Sequence, residues 1–586
     1  MRYVHFSPCA FFLLINIALA QTKTIQDFTV KGNEHFSRRE ILAWVTLKPG
    51  SAFSEIQLQE NIKAILRNYR DEGYYLASID SVQKIFNDDS SAVSIAVFLV
   101  EGEQLEIGKI TVDGNELFSQ EAILRNFNTS VGDVLRESVL EKDIDVLIGR
   151  YERSGYPFAK VEVDNILPYD EDGRKKLALH LKVDEGKLIT INEIRVQGNK
   201  TTQNDVIVRE TRITPGETYN QEKVNDIKRR LDRLNFFTSV SEPELYVINS
   251  DTVGIGGLLI KVQEGNTNTF DGVIGYQPAR TESERGYLTG LINISMRNLF
   301  GTARRADFRW HQQDRATQEL ELHYLEPWVF GYPVNIGLGF LQRKQDSTYI
   351  SRRFDVKGDM LITENLTAGL LFNQESIIPS DVNAFVVSGS RTITGGAEIR
   401  YDTRDDVYNP TTGVFYRTNY QIGQKKIFAA GVADSADGSF TVQRIGLDVE
   451  TFFETFSKQV VAVGLHGREL RSEKIEVSDL FRFGGTNTLR GYREDQFLAS
   501  RLLWSNLEYR FSLARRSYLY GFFDAGYYLK PKDDSRKTEE ISGVKTGYGI
   551  GVRIETALGI IGVSYALGQG DSFSQGKIHF GLVNDF

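Results

Sequence analysis

FTVKGNEHFSRREIL, beginning at Phe28, returns as ITVDGNELFSQEAIL at Ile110 and as IRVQGNKTTQNDVIV at Ile194. The glycines of the shared Gly-Asn pair, Gly32, Gly114 and Gly198, lie 82 and 84 residues apart. Two more landmarks keep the same order. Gly73-Tyr74 and Gly155-Tyr156 each close a helical stretch, and Asn235-Phe236-Phe237 takes that place in the third copy. Each copy then ends in a strand that runs into Glu-Gly: FLVEG at Glu101, LKVDEG at Glu185 and IKVQEG at Glu264. Self-similarity at a fixed period marks a repeated domain.

Within a copy, a short alternating strand reaches the Gly-Asn turn and a helix follows. Ser37-x-x-Glu40 has the form of a capping box, and Thr202-x-x-Asp205 is expected to start the helix of the third copy in the same way. In the second helix, Leu58, Ile62, Ile65, Leu66 and Tyr69 share a face. Leu140, Ile144, Leu147, Ile148 and Tyr151 repeat that spacing, and Val224, Ile227, Leu231 and Leu234 serve the third copy. Two strands complete each unit, giving β-α-α-β-β with one helical layer on a small sheet. No residue of the repeats has the setting of a catalytic group.

Residues 1–20 form a separate segment. Arg2 and the amino terminus precede the apolar run CAFFLLINIALA, which ends Ala18-Leu19-Ala20 before Gln21. This is expected to be a cleaved secretory signal. Cys9, the single cysteine, lies inside it, so the mature chain is expected to hold no thiol, disulfide or cysteine-ligated metal.

Near Gly265 the helical period stops. Alternating segments of about ten residues then run to the end, the length of a membrane-spanning strand. They fall at 269–278, 286–297, 303–314, 317–327, 333–344, 348–360, 364–376, 392–403, 414–424, 439–453, 459–470, 498–512, 517–528, 543–555, 559–567 and 576–585. The even number, sixteen, fits a closed antiparallel transmembrane barrel, and the 52 glycines with 36 Phe and 26 Tyr fit strands and turns. Connections after even-numbered segments are mostly short and several after odd-numbered ones are long, at 377–391, 425–438, 471–497 and 529–542, as outer loops should be, and an N-terminal periplasmic region requires the same orientation. The expected domains are a signal at 1–20, repeats at 21–104, 105–187 and 188–266, and a barrel at 267–586.

Parity assigns the faces. Leu503, Leu507, Tyr509 and Phe511 oppose Asn506, Glu508 and Arg510, and Leu519, Phe523, Ala525 and Tyr527 oppose Asp524. Charge facing lipid is costly, so Glu508 and Asp524 are expected in the lumen. The seam is the second point of interest. The first strand, TFDGVIGYQP, carries Gly272, Gly275 and Pro278, all poor strand residues. Its partner is the last strand, interrupted by Gly581 and ending in Phe586. A weak seam could open sideways and offer strand edges to a client, with thinning of the nearby bilayer.

The repeats, with their Gly-Asn turn and helix-terminal Gly-Tyr, resemble POTRA domains. Followed by such a barrel, they resemble the BamA/TamA superfamily of outer-membrane insertases and translocators (the bacterial surface antigen family). The stretches RNLFGT (297–302), YLEPWVFGYP (324–333), YDTRDDVYNPTTG (401–413), FRFGGTNTLRGY (481–492) and FFDAG (522–526) are similar to that family's hallmarks, and the C-terminal IHFGLVNDF resembles its barrel-assembly signal. The resemblance implies that loop 471–497 folds into the lumen, where the motif Gly484, Gly485, Leu489, Arg490, Gly491 and Tyr492 brings Arg490 to Asp524 and Glu508. It also implies repeats in the periplasm that bind unfolded client segments by strand addition, a barrel in the bacterial outer membrane, and periplasmic or inner-membrane accessory proteins.

Three repeats are closer to the TamA-like branch than to the five-repeat BamA pattern. A two-partner-secretion exporter of one large protein is the alternative, although such exporters usually carry two repeats and a plug helix. A barrel phospholipase has no support from the seven histidines, with no convincing Ser/His/acid set and no HExxH. A passive channel leaves the repeats unexplained. No cofactor, metal or catalytic residue is expected, there is no GxxxxGK[ST] loop, and a net charge of −9 argues against nucleic acid.

Overall fold

A computed structural model describes residues 23–249, 254–266, 268–278, 286–345, 348–380, 387–428, 436–533, 537–556 and 559–583. The expected signal with Cys9, and Phe586, lie outside them. Two compact units result, and the boundary between them runs through the third repeat. One holds the chain up to Glu193 with Ile213–Val224 and Leu245–Leu258; the other holds Ile194–Arg212, Asn225–Glu244 and the chain from Leu259.

In the first unit, repeat one runs Thr24–Lys31, helices Arg38–Trp44 and Glu55–Asp71, then strands Ser78–Phe86 and Ala92–Val100. The last strand lies in the middle of the sheet, parallel to the first and antiparallel to the second. Repeat two copies this with Glu106–Asp113, Gln120–Leu124, Glu137–Arg153, Lys160–Glu171 and Arg174–Asp184. The third repeat has helices Asn204–Thr211 and Gln221–Arg233 and strands Ile189–Gln197, Glu244–Asn249 and Gly254–Glu264.

The landmarks spaced along the sequence close on one another in space. Each Gly-Asn turn crosses the backbone of the strand that ends in Glu-Gly. A Cβ on Gly32 would lie 2.0 Å from the Leu99 carbonyl, one on Gly114 2.1 Å from that of Val183, and one on Gly198 1.9 Å from that of Val262. All three glycines also have positive φ, so two separate constraints exclude a side chain. The adjacent asparagine amides donate to Phe36, Phe118 and Thr202 carbonyls at 2.8 Å each. The glutamate of each Glu-Gly pair then takes backbone N–H groups of the turn: Glu34 and His35 for Glu101, Leu117 for Glu185, Thr201 and Thr202 for Glu264. In the first two copies the helix tyrosines donate to the same carboxylates, Tyr69 to Glu101 at 2.7 Å and Tyr151 to Glu185 at 2.9 Å.

The second helices bury the expected face, with Leu58, Ile65, Tyr69, Leu140, Leu147 and Tyr151 in the cores. They also bury Asn61 and Asp143, one period apart, which apolar patterning passes over. Asn61 accepts from the Thr46 amide and Asp143 from the Asn128 and Thr129 amides, so each fixes the loop after the first helix. The expected capping box at Ser37 is present. Thr202 does not cap in the third copy: the N-cap is Gln203, without a side-chain bond. The Thr202 hydroxyl is buried and accepts instead from Asn298 of the barrel.

The second unit's sheet has sixteen antiparallel strands in sequential order. They are β1 (Asn268–Gln277), β2 (Tyr287–Leu299), β3 (Arg304–Gln312), β4 (Gln318–Glu326), β5 (Val334–Gln345), β6 (Tyr349–Leu361), β7 (Leu366–Pro379), β8 (Gly389–Asp402), β9 (Gly413–Phe428), β10 (Ala436–Phe456), β11 (Gln459–Ser472), β12 (Arg501–Ala514), β13 (Ser517–Lys530), β14 (Ile541–Thr556), β15 (Gly559–Gly568) and β16 (Lys577–Val583). The segment read as 498–512 is divided in the structure. Phe497–Ala499 pairs with Phe481–Phe483 as a hairpin of the long loop, and β12 starts at Arg501. Alternation continues through both pieces, so periodicity could not locate the break. Leu503, Leu507, Tyr509, Phe511, Leu519, Phe523 and Tyr527 face outward, while Glu508, Arg510 and Asp524 are buried inside. Among the described residues no helix is long and apolar enough to cross a membrane.

Burial alone would raise the Glu264 carboxyl, but the Thr202 and Thr201 amides outweigh it and hold it at about 2. Since the folded value is depressed, this carboxylate stabilises the third repeat fully above its ordinary value of 4.5 and loses that contribution as pH falls toward about 2. The stability gap between the wild type and Glu264→Gln in denaturant titrations should therefore narrow across that window. A gap independent of pH there would contradict the assignment.

Candidate functional site in the barrel lumen

The loop between β11 and β12 enters the barrel and is held at both ends. Near its start, Lys425 of β9, fully buried, donates to Asp479 at 2.6 Å and Glu476 at 3.1 Å. Further on, Phe483, Leu489, Tyr492 and Ala499 pack with Leu502 and Trp504 of β12. Gly484, Gly485 and Gly491 turn the chain with positive φ.

The tip presents Arg490. Its Nε and Nη2 grip Asp524 side-on at 2.8 and 2.7 Å, its backbone N–H reaches the same carboxylate at 3.0 Å, and Nη1 donates to Glu508 at 2.6 Å. The guanidinium lies 3.7 Å over the Phe522 ring. Arg490 is 5% exposed, Glu508 6% and Asp524 0%, so little of the group meets solvent. The carboxylates have further donors: Asn506 donates to Asp524 at 2.8 Å and Arg510 to Glu508 at 2.8 Å. A planar fork is suited to this double recognition, and an ammonium is not.

The wall is shaped for the loop. A Cβ at Gly547 of β14 would lie 1.8 Å from the Arg490 carbonyl, and one at Gly491 would meet the backbone of Leu567 and Gly568 at 2.7 Å. Tyr492 donates to the Thr546 carbonyl at 3.0 Å and accepts from the Gln569 N–H at 3.0 Å. On β16, His579 receives the Gly491 N–H at 3.0 Å. The candidate residues Gly484, Gly485, Leu489, Arg490, Gly491, Tyr492, Glu508 and Asp524 thus meet in one place. Gly272 and Gly275 do not join them; they lie in β1, which pairs with β2 from Asn268 to Gln277. Gly581 lies in β16, beside Thr486 of the loop.

Residues 298–586 match the Omp85 superfamily domain, and residues 23–102, 105–186 and 189–265 match the surface antigen variable number repeat called POTRA. The chain belongs to the BamA/TamA superfamily. Its barrel therefore lies in the outer membrane and its POTRA domains in the periplasm. It is 24% identical over 612 residues to the outer membrane protein assembly factor BamA of Nitratidesulfovibrio vulgaris, covering 96% of this chain and 72% of that protein. With the BamA of Neisseria meningitidis the identity is 24% over 342 residues, 55% of this chain and 40% of the relative. The chain spans about two fifths of the length of several of the curated relatives it matches, among them the putative outer membrane protein assembly factor of Treponema pallidum. The crystal structure of Haemophilus ducreyi BamA lacking POTRA domains 1–3 matches 81% of this chain and 98% of its own, at 17% identity and a TM-score of 0.46.

The other stretches that resemble superfamily hallmarks lie where the barrel meets third-POTRA residues of the same compact unit. In RNLFGT, Asn298 donates to Thr202 at 2.8 Å, the Gly301 carbonyl accepts from the Gln203 N–H at 2.9 Å, and a Cβ on Gly301 would lie 2.0 Å from the Thr201 carbonyl. In YLEPWVFGYP, the Trp328 indole donates to Glu210 at 2.7 Å. Asp402 of YDTRDDVYNPTTG accepts through its carbonyl from Arg233 at 3.1 Å. Glu364, between β6 and β7, accepts from Arg212 at 2.7 Å and from Arg230 at 2.8 and 2.9 Å. Sequence reasoning missed Glu364, Lys425, Gly547 and His579; only the glycine has a local signal, in a glycine-dense strand.

Removing one side of a buried ion cluster strands the other, at a cost of about 3–5 kcal/mol. Arg490→Ala and Arg490→Lys should both lower barrel stability, read as earlier loss of the folded, heat-modifiable band on electrophoresis. Arg493→Ala, whose side chain is exposed, should leave it near wild type. Equal effects at the two positions would refute the assignment.

Proposed function

We propose that this chain assists the insertion of β-barrel proteins into the outer membrane, or the passage of proteins across it, by receiving client segments on its POTRA domains and offering the seam between β1 and β16. One observation carries this reading: among the described residues the sheet begins at β1 and ends at β16 with no ladder between them. β16 pairs with β15 over seven residues only. Two free strand edges in one wall are templates for an incoming strand.

The seam's outer surface supports the same reading. Phe270, Ile274 and Tyr276 on β1 and Ile578 and Phe580 on β16 are exposed to the lipid side, so the site of pairing is also apolar and membrane-facing. The work is pairing and positioning, with no enzymatic step and no cofactor. Its partners are unfolded outer-membrane or secreted clients, the surrounding lipids and accessory proteins. The three repeats favour a TamA-like role within the superfamily.

Cysteines introduced in facing positions of β1 and β16 test the seam. The oxidised, cross-linked protein should lose client insertion in proteoliposomes and regain it on reduction; full activity while locked would overturn the gate. In cells, depletion should lower many outer-membrane proteins, whereas loss of one secreted protein alone would favour the exporter reading.

A further inference from the structure

We propose that His579 is a positioning residue that latches β16 to the lumenal loop through its neutral imidazole and lets the strand go when the ring takes a second proton. The proposal rests on the seam reading above, because β16 is the edge it holds.

The geometry fixes the ring's protonation. The Gly491 N–H can only donate, so the His579 Nε2 that meets it at 3.0 Å must present its lone pair. The ring proton is then on Nδ1, which faces Thr486 Oγ1 at 3.3 Å. That hydroxyl donates onward to Glu494 at 2.6 Å, leaving its oxygen free to accept. A chain of three bonds therefore joins both shoulders of the loop, Gly491 on one side and Thr486 with Glu494 on the other, to one side chain of β16. His579 is 6% exposed and fills the space between strand and loop.

This contact has unusual leverage. β16 has a ladder on one side only, with Ser564 of β15 opposite His579. Its other edge is unpaired among the described residues. The loop is rigidly placed by Arg490, so a bond from Gly491 to His579 carries that placement to the strand. Nothing else in the hydrogen-bond pattern of the described residues ties a β16 side chain to the loop.

Protonation at Nε2 would set two N–H groups against each other at Gly491. Histidine is the side chain whose ordinary titration falls near pH 6.5. The charged groups facing the ring divide by position. Glu494 lies 4.0 Å from Nδ1, on the side away from Gly491. Asp524 on β13, Arg490 in the loop and Lys577 on β16 itself also act on it. The added charge is drawn toward Glu494, which pulls the ring off Gly491. A cavity of about 820 Å³ lined by His579, Glu494, Arg490 and Arg553 provides room for the swing.

The test uses the full chain in lipid bilayers with a spin label on Phe580→Cys, an outward position of β16. At about pH 8 the label should be immobile in the His579 protein and mobile in His579→Ala. At about pH 5, across the imidazole range, it should become mobile in the His579 protein and stay immobile in His579→Gln, whose amide oxygen replaces the Nε2 acceptor without titrating. A purely structural histidine would give no such pH step. Absence of the step, or the same step in His579→Gln, overturns the latch; should His579→Ala fail to fold, the comparison with Gln decides alone. Strand mobility is read without any client, so failure of insertion with the step intact would count against the seam function and not against the latch.

Discussion

A guanidinium held by two carboxylates inside a membrane barrel is what the rest of the lumen is arranged around. Arg490 is carried in on a long loop, and an unanchored loop of that length would lose much conformational freedom by entering. The bonds to Asp524 and Glu508 offset that loss only if most of the desolvation is compensated. Most of it is: Asn506 and Arg510 supply further donors to the two carboxylates, and Phe522 covers the guanidinium face, while Nη1 of Arg510 is left buried without a partner. The bare backbones of Gly547 and Gly568 follow from the same demand. A side chain at either would keep the loop tip off the wall and break the alignment that a bidentate pair needs.

The ends of the sheet are restrained by different parts of the molecule. β16 has one short ladder and the bond to Gly491. β1 has a full ladder to β2 but is interrupted by glycine at Gly272 and Gly275, and starts at Asn268, just after the last strand of the third POTRA domain ends at Glu264. That strand end is itself fixed, because the Glu264 carboxylate is bound by the Thr201 and Thr202 amides and Thr202 is bound by Asn298 of β2. One edge of the seam is thus set from the lumen and the other from the periplasm.

What could be read from the sequence was local and periodic. Three landmarks at one spacing gave the repeats, and period-two alternation with lengths near ten gave the sixteen strands. Parity alone put Glu508 and Asp524 on the lumenal face, because a strand leaves a residue only two faces and lipid forbids charge on one. Contacts that depend on the long loop folding against distant strands were not legible. His579 is one polar residue in an alternating strand until Gly491, 88 positions away, is brought beside it. Lys425 has the parity of any inward residue and only the fold supplies Asp479. Asn61 and Asp143 were hidden for another reason: they sit on an apolar helix face, where pattern counting scores them as interruptions, yet they are the residues that fix the following loop.

The hallmark stretches show the same division from the other side. RNLFGT, YLEPWVFGYP and YDTRDDVYNPTTG were recognisable as strings; turn chemistry accounts for Asn298 and Gly301 at positive φ, with Asn298 also accepting from the Ala303 N–H, but not for the burial of Asn298 or for a tryptophan at 328. Asn298 is buried, and Gly301 is crossed by a foreign backbone, because Thr201 and Thr202 lie against that turn. The displaced helix cap at Thr202 has the same origin: its hydroxyl can serve the helix start or Asn298, and the barrel takes it. A residue that breaks the local rule for its own element therefore marks where a second element bears on it, and here Thr202 and Asn298 mark where residues 201–203 bear on the turn between β2 and β3.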